Sequence, residues 1–317
     1  MYHTEVTRKL VYSYELNILR IEVLSPAQLS ALSRMFSISV ISEIAKKGKS
    51  PLFSRLMVES CAFENQQNEN ATIGDVFDVA FSLIRRAGIR NEYVFRSALV
   101  HNVLLGRHSL RTASMLAEFR IGTSKADMII LNGSGTVYEI KSDRDSLARL
   151  ESQIANYRKA FSKIYVIAGD SHIDDVLCKT SEDIGVLSLV RWNRISVVRD
   201  AKENNDFLCP ATMFDSLRIS EAKDILKQFK IEPPVLPNTL LRSAIRSVFE
   251  ELNPIEVQKC MIKTLKRTRN LSPLSNLISN LPNALQSVAL ITQLRNKDRE
   301  RLVETLGKPL DEALKWV

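Results

Sequence analysis

Residues 126–141 read Ala-Asp-Met-Ile-Ile-Leu-Asn-Gly-Ser-Gly-Thr-Val-Tyr-Glu-Ile-Lys. Two apolar, β-rich runs, Ala126 to Leu131 and Thr136 to Lys141, flank a turn at Asn132-Gly133-Ser134-Gly135, which is a strong short-range signal for a β-hairpin. The polar residues inside those runs are Asp127, Glu139 and Lys141. Side chains alternate with period two along a strand, so Glu139 and Lys141 share one face. A loop of odd length, or a bulge, puts Asp127 across from Glu139, whereas an even two-residue turn puts it on the opposite face. The odd case is expected.

Two carboxylates and an ammonium converging on one sheet face are unfavourable unless something holds them together. A hard divalent cation does this: Mg²⁺ binds through one or two carboxylates together with substrate phosphate oxygens. A lysine beside such an ion orients water or offsets charge growing on phosphorus. The pattern is the outline of a phosphodiester-hydrolysis site. The plainer reading is a surface salt bridge on a hairpin. A second Glu-x-Lys, at Glu221-Ala222-Lys223, lies in a helical pattern where residues two apart do not face each other.

Asp127, eleven residues, then Glu139-Ile140-Lys141 resembles the D-x(n)-E-x-K signature of the PD-(D/E)XK nuclease superfamily. Gln153 and Tyr157, in a helix expected over Ser146 to Phe161, resemble the Q-x-x-x-Y element of its RecB-like branch. The run from Tyr138 to Gln153, with Arg90-Asn-Glu-Tyr, Gly106-Arg-His-Ser and Glu118-Phe-Arg upstream, is similar to a group of bacterial nuclease-like proteins. Ala126 stands where the superfamily's name has proline. The resemblance implies a restriction-endonuclease-like α/β fold, a mixed β-sheet core flanked by helices. It implies metal-dependent cleavage of phosphodiester bonds, DNA foremost. Asp127 and Glu139 would hold one or two Mg²⁺ (or Mn²⁺) ions, helped by the carbonyl of Ile140, and Lys141 would position or activate water. An extra carboxylate comes from Glu92, on the helix before the first core strand, or from Glu118 within that strand, and the sequence leaves both open. Gln153 and Tyr157 would line the DNA groove beside the metal, or else serve packing alone.

Other cations are candidates for phosphate contact. Lys125 precedes Asp127 by two and is either such a contact or a solvated strand end. His108, in a loop at Gly106 to Ser109, is a candidate auxiliary group at the scissile phosphate. Arg144 and Arg149 follow the hairpin and suit backbone phosphates, where they add affinity without sequence information. In Glu256 to Arg269, the residues Lys259, Lys263, Lys266 and Arg267 align on one side, as a phosphate stripe or a solvated face.

The chain has 317 residues, 45% apolar and 25% charged, with a net charge of +8. That length favours two domains, and the basic balance is compatible with a nucleic-acid partner without requiring one. Cys61, Cys178, Cys209 and Cys260 form no C-x-x-C pair, which suits a reducing cytoplasm. The start, Met1 to Arg20, lacks a signal-peptide core, and no apolar run is long enough to span a bilayer. A cytoplasmic protein with no membrane partner is expected.

The organisation expected is a helical N-terminal extension (1–87), the nuclease-like core (88–200) and a helical C-terminal region (201–317), with a linker at 230–238 carrying Pro233, Pro234 and Pro237. A helix starts at Ser25-Pro26 and runs to Lys47 as one piece or a bent pair, with a helix-turn-helix as a lesser reading. Further helices are expected at Thr72 to Ala87, Asn91 to Leu105, Asp174 to Lys179 and Ser216 to Phe229. A polar surface loop is expected at 64–71 and turns at Gly88 and Trp192-Asn193. Strands are expected at Met115 to Ile121, where Leu116, Glu118 and Arg120 share a face, at Ile164 to Ala168 in the sheet centre, and at Gly185 to Val190 and Ile195 to Arg199. About four helices follow Asn238, stopped near Pro254, Pro273 and Pro282. The helical ends are the expected interface for a homodimer or a partner protein. The rival to the enzyme is a non-catalytic module on the same fold that binds nucleic acid or a partner. Phage defence, mobile-element biology and repair are the settings considered.

Overall fold

The computed structural model describes residues 24–61, 70–86, 90–190 and 193–316. The chain start at 1–23, most of the loop expected at 64–71, the turn at Gly88 and Trp192 lie outside them. Among the described residues no helix is long and apolar enough to cross a membrane.

A six-stranded mixed sheet runs β1 (Ser114–Ile121), β2 (Ser124–Leu131), β3 (Gly135–Lys141), β4 (Lys163–Ala168), β5 (Gly185–Val190) and β6 (Arg194–Arg199), each strand beside its sequence neighbour. The first three form an antiparallel meander, β3, β4 and β5 are parallel, and β6 returns antiparallel. Before the sheet come α1 (Pro26–Arg34), α2 (Ile38–Lys47), α3 (Pro51–Ser60), α4 (Ile73–Arg86), α5 (Glu92–Leu99) and, past a π-helical turn at Val100–Leu104, α6 (Leu105–Arg107). The crossovers that parallel strands require are α7 (Leu150–Tyr157) and α8 (Ile173–Lys179). After it follow α9 (Pro210–Asp215), α10 (Ile219–Gln228), α11 (Asn238–Glu250), α12 (Pro254–Thr268), α13 (Ser275–Asn280), α14 (Asn283–Ile291), α15 (Asn296–Leu306) and α16 (Leu310–Leu314).

Each face of the sheet has its own core. Met128, Ile130, Tyr138, Ile140 and Ile167 pack with the N-terminal helices and with residues 274–313. Ile129, Leu131, Val137, Ile164 and Val166 pack with α7 and with the helices over 210–265. β4 lies between β3 and β5 and is covered on both faces, which explains its wholly apolar run.

Local chemistry sets several boundaries. Ser25 caps α1 in a reciprocal box with Gln28, Pro26 opens the helix, and Asn91 accepts from the Val94 N–H to start α5. The stretch Ala27 to Lys47 is the bent pair, interrupted at 35–37. The prolines expected to stop helices mostly start them: Pro254 opens α12, while Pro282 caps α14. A missing N–H is harmless there, so six α-helices follow Asn238 where four were expected. The helix from Asn91 passes the loop expected at Gly106, because its π-turn brings the His101 carbonyl to where a Gly106 Cβ would stand, 2.5 Å away. The helix expected at Ser146 begins only at Leu150, but Leu150, Ile154, Tyr157 and Phe161 form the buried seam their spacing implies.

Candidate metal centre

The connection from β2 to β3 has three residues, 132–134, so Leu131 pairs with Gly135 and the register runs to Met128 opposite Tyr138. One step further Asp127 stands opposite Glu139, as the odd loop requires. The strands part there, leaving the Ile140 N–H without a ladder partner, and Asp127 Oδ2 accepts it at 2.7 Å. On the other side β1 pairs Ala117 with Met128 and Phe119 with Ala126, which sets Glu118 opposite Asp127. Glu118, Asp127 and Glu139 therefore form one row across three strands.

Glu118 has φ +53°, a left-handed backbone that side-chain sterics disfavour. This inverts the alternation of β1: Leu116, Phe119 and Ile121 all enter the same core, while Glu118 and Arg120 stay exposed. The shared face expected for Leu116, Glu118 and Arg120 is corrected by that single residue.

Glu92, in the first turn of α5, completes the arrangement. Glu92, Glu118 and Asp127 each offer a carboxylate oxygen, and the three lie within 4.8 Å of one another. Oxygens about 2.0 to 2.6 Å from a shared cation span such distances, and hard oxygen donors are the set that Mg²⁺, Mn²⁺ and Ca²⁺ take. The residues present thus fit a divalent cation, and the two carboxylates between which the sequence left the choice open are both there. Burial, then the negative charge of Glu139, pushes the Asp127 carboxyl up to about 7; the Ile140 N–H and Lys141 pull the other way, and Glu92 adds to the rise.

Two cations attend the cluster. The Arg96 guanidinium pairs with Glu92, one helical turn away, and lies 3.8 Å from Glu118. Lys125 Nζ is 2.5 Å from the other Glu118 oxygen, so Lys125 serves the carboxylate row as well as facing solvent. Arg96 was missed at the sequence level, although its i,i+4 spacing from Glu92 is visible there.

Glu139 plays a different part from the one expected. It is 1% exposed, and both oxygens are taken. Lys141 Nζ donates to Oε1 at 2.9 Å and Gln153 Nε2 donates to the same oxygen at 2.5 Å. The Tyr157 hydroxyl lies 2.7 Å from Oε2 and 2.8 Å from the Lys125 carbonyl. Gln153 Oε1 accepts from Lys141 at 2.9 Å, closing the ring. Burial and then Glu139 push the Tyr157 hydroxyl well above the usual phenol range. Glu139 is thus the anchor of Lys141 rather than a member of the converging carboxylate trio. Gln153 and Tyr157 hold that anchor, and Tyr157, fully buried, does not line an open groove. Ile140 reaches the row through its N–H.

The remaining candidates fall elsewhere. His108 is hydrogen-bonded to Asn132 in the hairpin turn, five residues along the strand (about 17 Å) from Asp127. Arg144 and Arg149 are exposed on the segment leading into α7. Arg90, two residues before Glu92, gives its N–H to Asp143 at 2.9 Å and its guanidinium to Asp143 and Asp170, fastening the start of α5 to the ends of β3 and β4. Glu221-Ala222-Lys223 is helical, and Glu221 is buried against Arg269.

No solved structure matches the chain. Protein cII of Enterobacteria phage P4 is 28% identical over 200 residues, covering 60% of this chain and 73% of that protein. The family model of bacteriophage P4 protein cII matches residues 85–306, from the entry of α5 through α15. This corrects the PD-(D/E)XK resemblance. That resemblance rested on a few polar positions around one hairpin, while the match runs through the sheet and the helices on both of its faces. With more than half of its length matched, the chain belongs to the bacteriophage P4 protein cII family.

Proposed function

We propose that Glu92, Glu118 and Asp127 bind a divalent cation, Mg²⁺ or Mn²⁺, and that the protein hydrolyses phosphodiester bonds in a nucleic acid, DNA foremost. The observation that carries this reading is the convergence of three carboxylates from three elements within 4.8 Å, coupled electrostatically to a buried lysine. A bound cation supplies Lewis-acid polarisation of a phosphoryl oxygen and acidifies water. The protein's own part is placement. Asp127 is fixed by the Ile140 N–H, Glu92 by the Arg90 clamp, and Lys141 by Glu139 and Gln153. Lys141 then orients a water or balances charge on the phosphate, and Lys125, half-solvated at the rim, meets a neighbouring phosphate. The phage origin of the relative supports a mobile-element setting.

One observation favours a second reading, a binding module without turnover: Arg96 and Lys125 already neutralise the cluster. Plasmid DNA, single-stranded DNA and RNA incubated with Mg²⁺ or Mn²⁺ separate the two. The enzyme reading expects cleavage by wild type and its loss in Asp127→Asn and Glu92→Gln proteins that fold normally by circular dichroism. Cleavage that persists in both variants, or none by wild type on any substrate, overturns it.

A further inference from the structure

We propose that the outer side of α10 and α12 is a docking track for the phosphate backbone of duplex nucleic acid, an inference that rests on the reading of nucleic acid as the substrate class. Residues 219–230 and 254–269 carry eight Lys and Arg against three Asp and Glu, in a chain of net charge +8. All three acids are committed. Glu221 is buried under Arg269 and Thr268, Asp224 pairs with Arg267, and Glu256 pairs with Lys259. Among the described residues, Lys223, Lys227, Lys263 and Lys266 enter no ion pair.

The two helices are antiparallel. Glu221 meets Arg269, Asp224 meets Arg267, and Gln228 donates to Thr264 at 2.9 Å. Lys223 and Lys227 each precede a residue of this seam on α10, and Lys263 and Lys266 do so on α12. One residue is roughly 100° of helix rotation. On antiparallel helices a step back from the seam turns toward the same side, so the four lysines emerge together. Lys223 and Lys227 are separated by about 6 Å of rise, a spacing that suits a strand carrying one charge per about 3.4 Å.

The track is fastened to β1 through the core that Phe119 enters, while the Glu118 carboxylate stays out of that core. The Arg269 guanidinium lies 5.1 Å from the ring centre of Phe119, the residue after Glu118, and the Ser114 hydroxyl donates to the Arg269 carbonyl at 2.6 Å. From there the lysines lead away along both helices. Of the large exposed apolar residues only Ile255 belongs to these helices, so the face lacks the apolar stripe a membrane-bound helix needs.

Fluorescence anisotropy with a labelled 24-base-pair duplex of arbitrary sequence, in chelator so that nothing is cut, tests the track on the full chain. The quadruple variant Lys223→Gln, Lys227→Gln, Lys263→Gln and Lys266→Gln alters two exposed and two half-buried side chains, and its melting temperature reports that it folds. The expected result is at least tenfold weaker binding and a salt dependence shallower by roughly 3 in log–log slope. Unchanged affinity and slope overturn the proposal. So does wild-type binding to vesicles of one part phosphatidylglycerol to three of phosphatidylcholine without binding to the duplex. Asp127→Asn keeps its duplex affinity in chelator, and the quadruple variant keeps its Mn²⁺-induced rise in melting temperature. Failure of the track and failure of the metal centre are therefore read separately.

Discussion

Glu118 is left-handed in the row of β1 that faces Asp127 on β2. The strained residue and the acid with the raised pKa thus sit opposite each other, where β1 to β3 stop making a regular ladder. A non-glycine residue in this region costs roughly 1 to 2 kcal/mol. The strain turns Phe119 and Ile121 into the core while leaving the Glu118 carboxylate beside Asp127 and Glu92.

Glu118→Gly separates strain from chemistry. Glycine adopts this backbone freely, so the variant should gain about 1 kcal/mol in urea unfolding, less the lost pairing with Lys125 and Arg96. It should also lose most of the melting-temperature rise produced by Mn²⁺. A variant that is less stable than wild type, or that keeps the full cation response, contradicts this account of β1.

The raised Asp127 pKa gives a signed prediction for pH. Its folded value, about 7, exceeds the unfolded value of roughly 3.9, so the folded state holds the proton more tightly. Without cation, stability is highest at low pH and is lost through this group as pH rises from about 4 to about 7. Asp127→Asn should flatten that dependence, melting like wild type near pH 4 and increasingly above it as pH rises to 8 in chelator. Cation binding requires the carboxylate, so the apparent Mn²⁺ affinity should climb up to tenfold per pH unit below 7 and level off above 8. Calorimetry at pH 6 in two buffers of different ionisation enthalpy should find close to one proton released per ion. Release of none would leave Asp127 outside the site.

How much of this was legible depends on the range of the interaction. The hairpin, the odd loop and the row through Asp127 and Glu139 follow from period-two alternation and a three-residue turn, and the seam of α7 follows from 3-4 spacing. The division of labour between carboxylates does not. Glu139 and Glu118 lie in the same row, yet one is sealed under Tyr157 and Gln153 and the other turned out by a backbone angle that no local pattern announces. The prolines misled because a residue that cannot continue a helix also begins one well. The family was beyond a five-residue motif, being carried by the whole stretch from α5 to α15.

Arg96 sits where a cation's positive charge is needed, paired with Glu92 and near Glu118, and its side chain is only 14% exposed. Removing it leaves three carboxylates together without the guanidinium that pairs with Glu92 and lies beside Glu118. Arg96→Gln should therefore lower the melting temperature in chelator by several degrees, about 1 to 2 kcal/mol. Saturating Mn²⁺ should restore more of the loss than it adds to wild type. An equal cation increment in both proteins would show that guanidinium and metal do not share the site.

The buried pair Glu139–Lys141 calls for a double-mutant cycle. Lys141→Met leaves a carboxylate sealed from water with only Gln153 and Tyr157 as donors, and loss of about 3 to 5 kcal/mol is expected. Glu139→Gln leaves an ammonium facing two amide oxygens, a smaller loss. The double variant removes both charges at once and should recover at least 2 kcal/mol of the summed losses, since an apolar or neutral pair of similar volume replaces an ion pair at little net penalty. The cycle is measured by urea unfolding at pH 7, with cation response recorded on every protein. Coupling below about 0.5 kcal/mol would mean that Lys141 is not held by Glu139. A cation response that survives in the double variant would confirm that the metal's carboxylates are Glu92, Glu118 and Asp127, with Glu139 acting on the site only through the lysine it fixes.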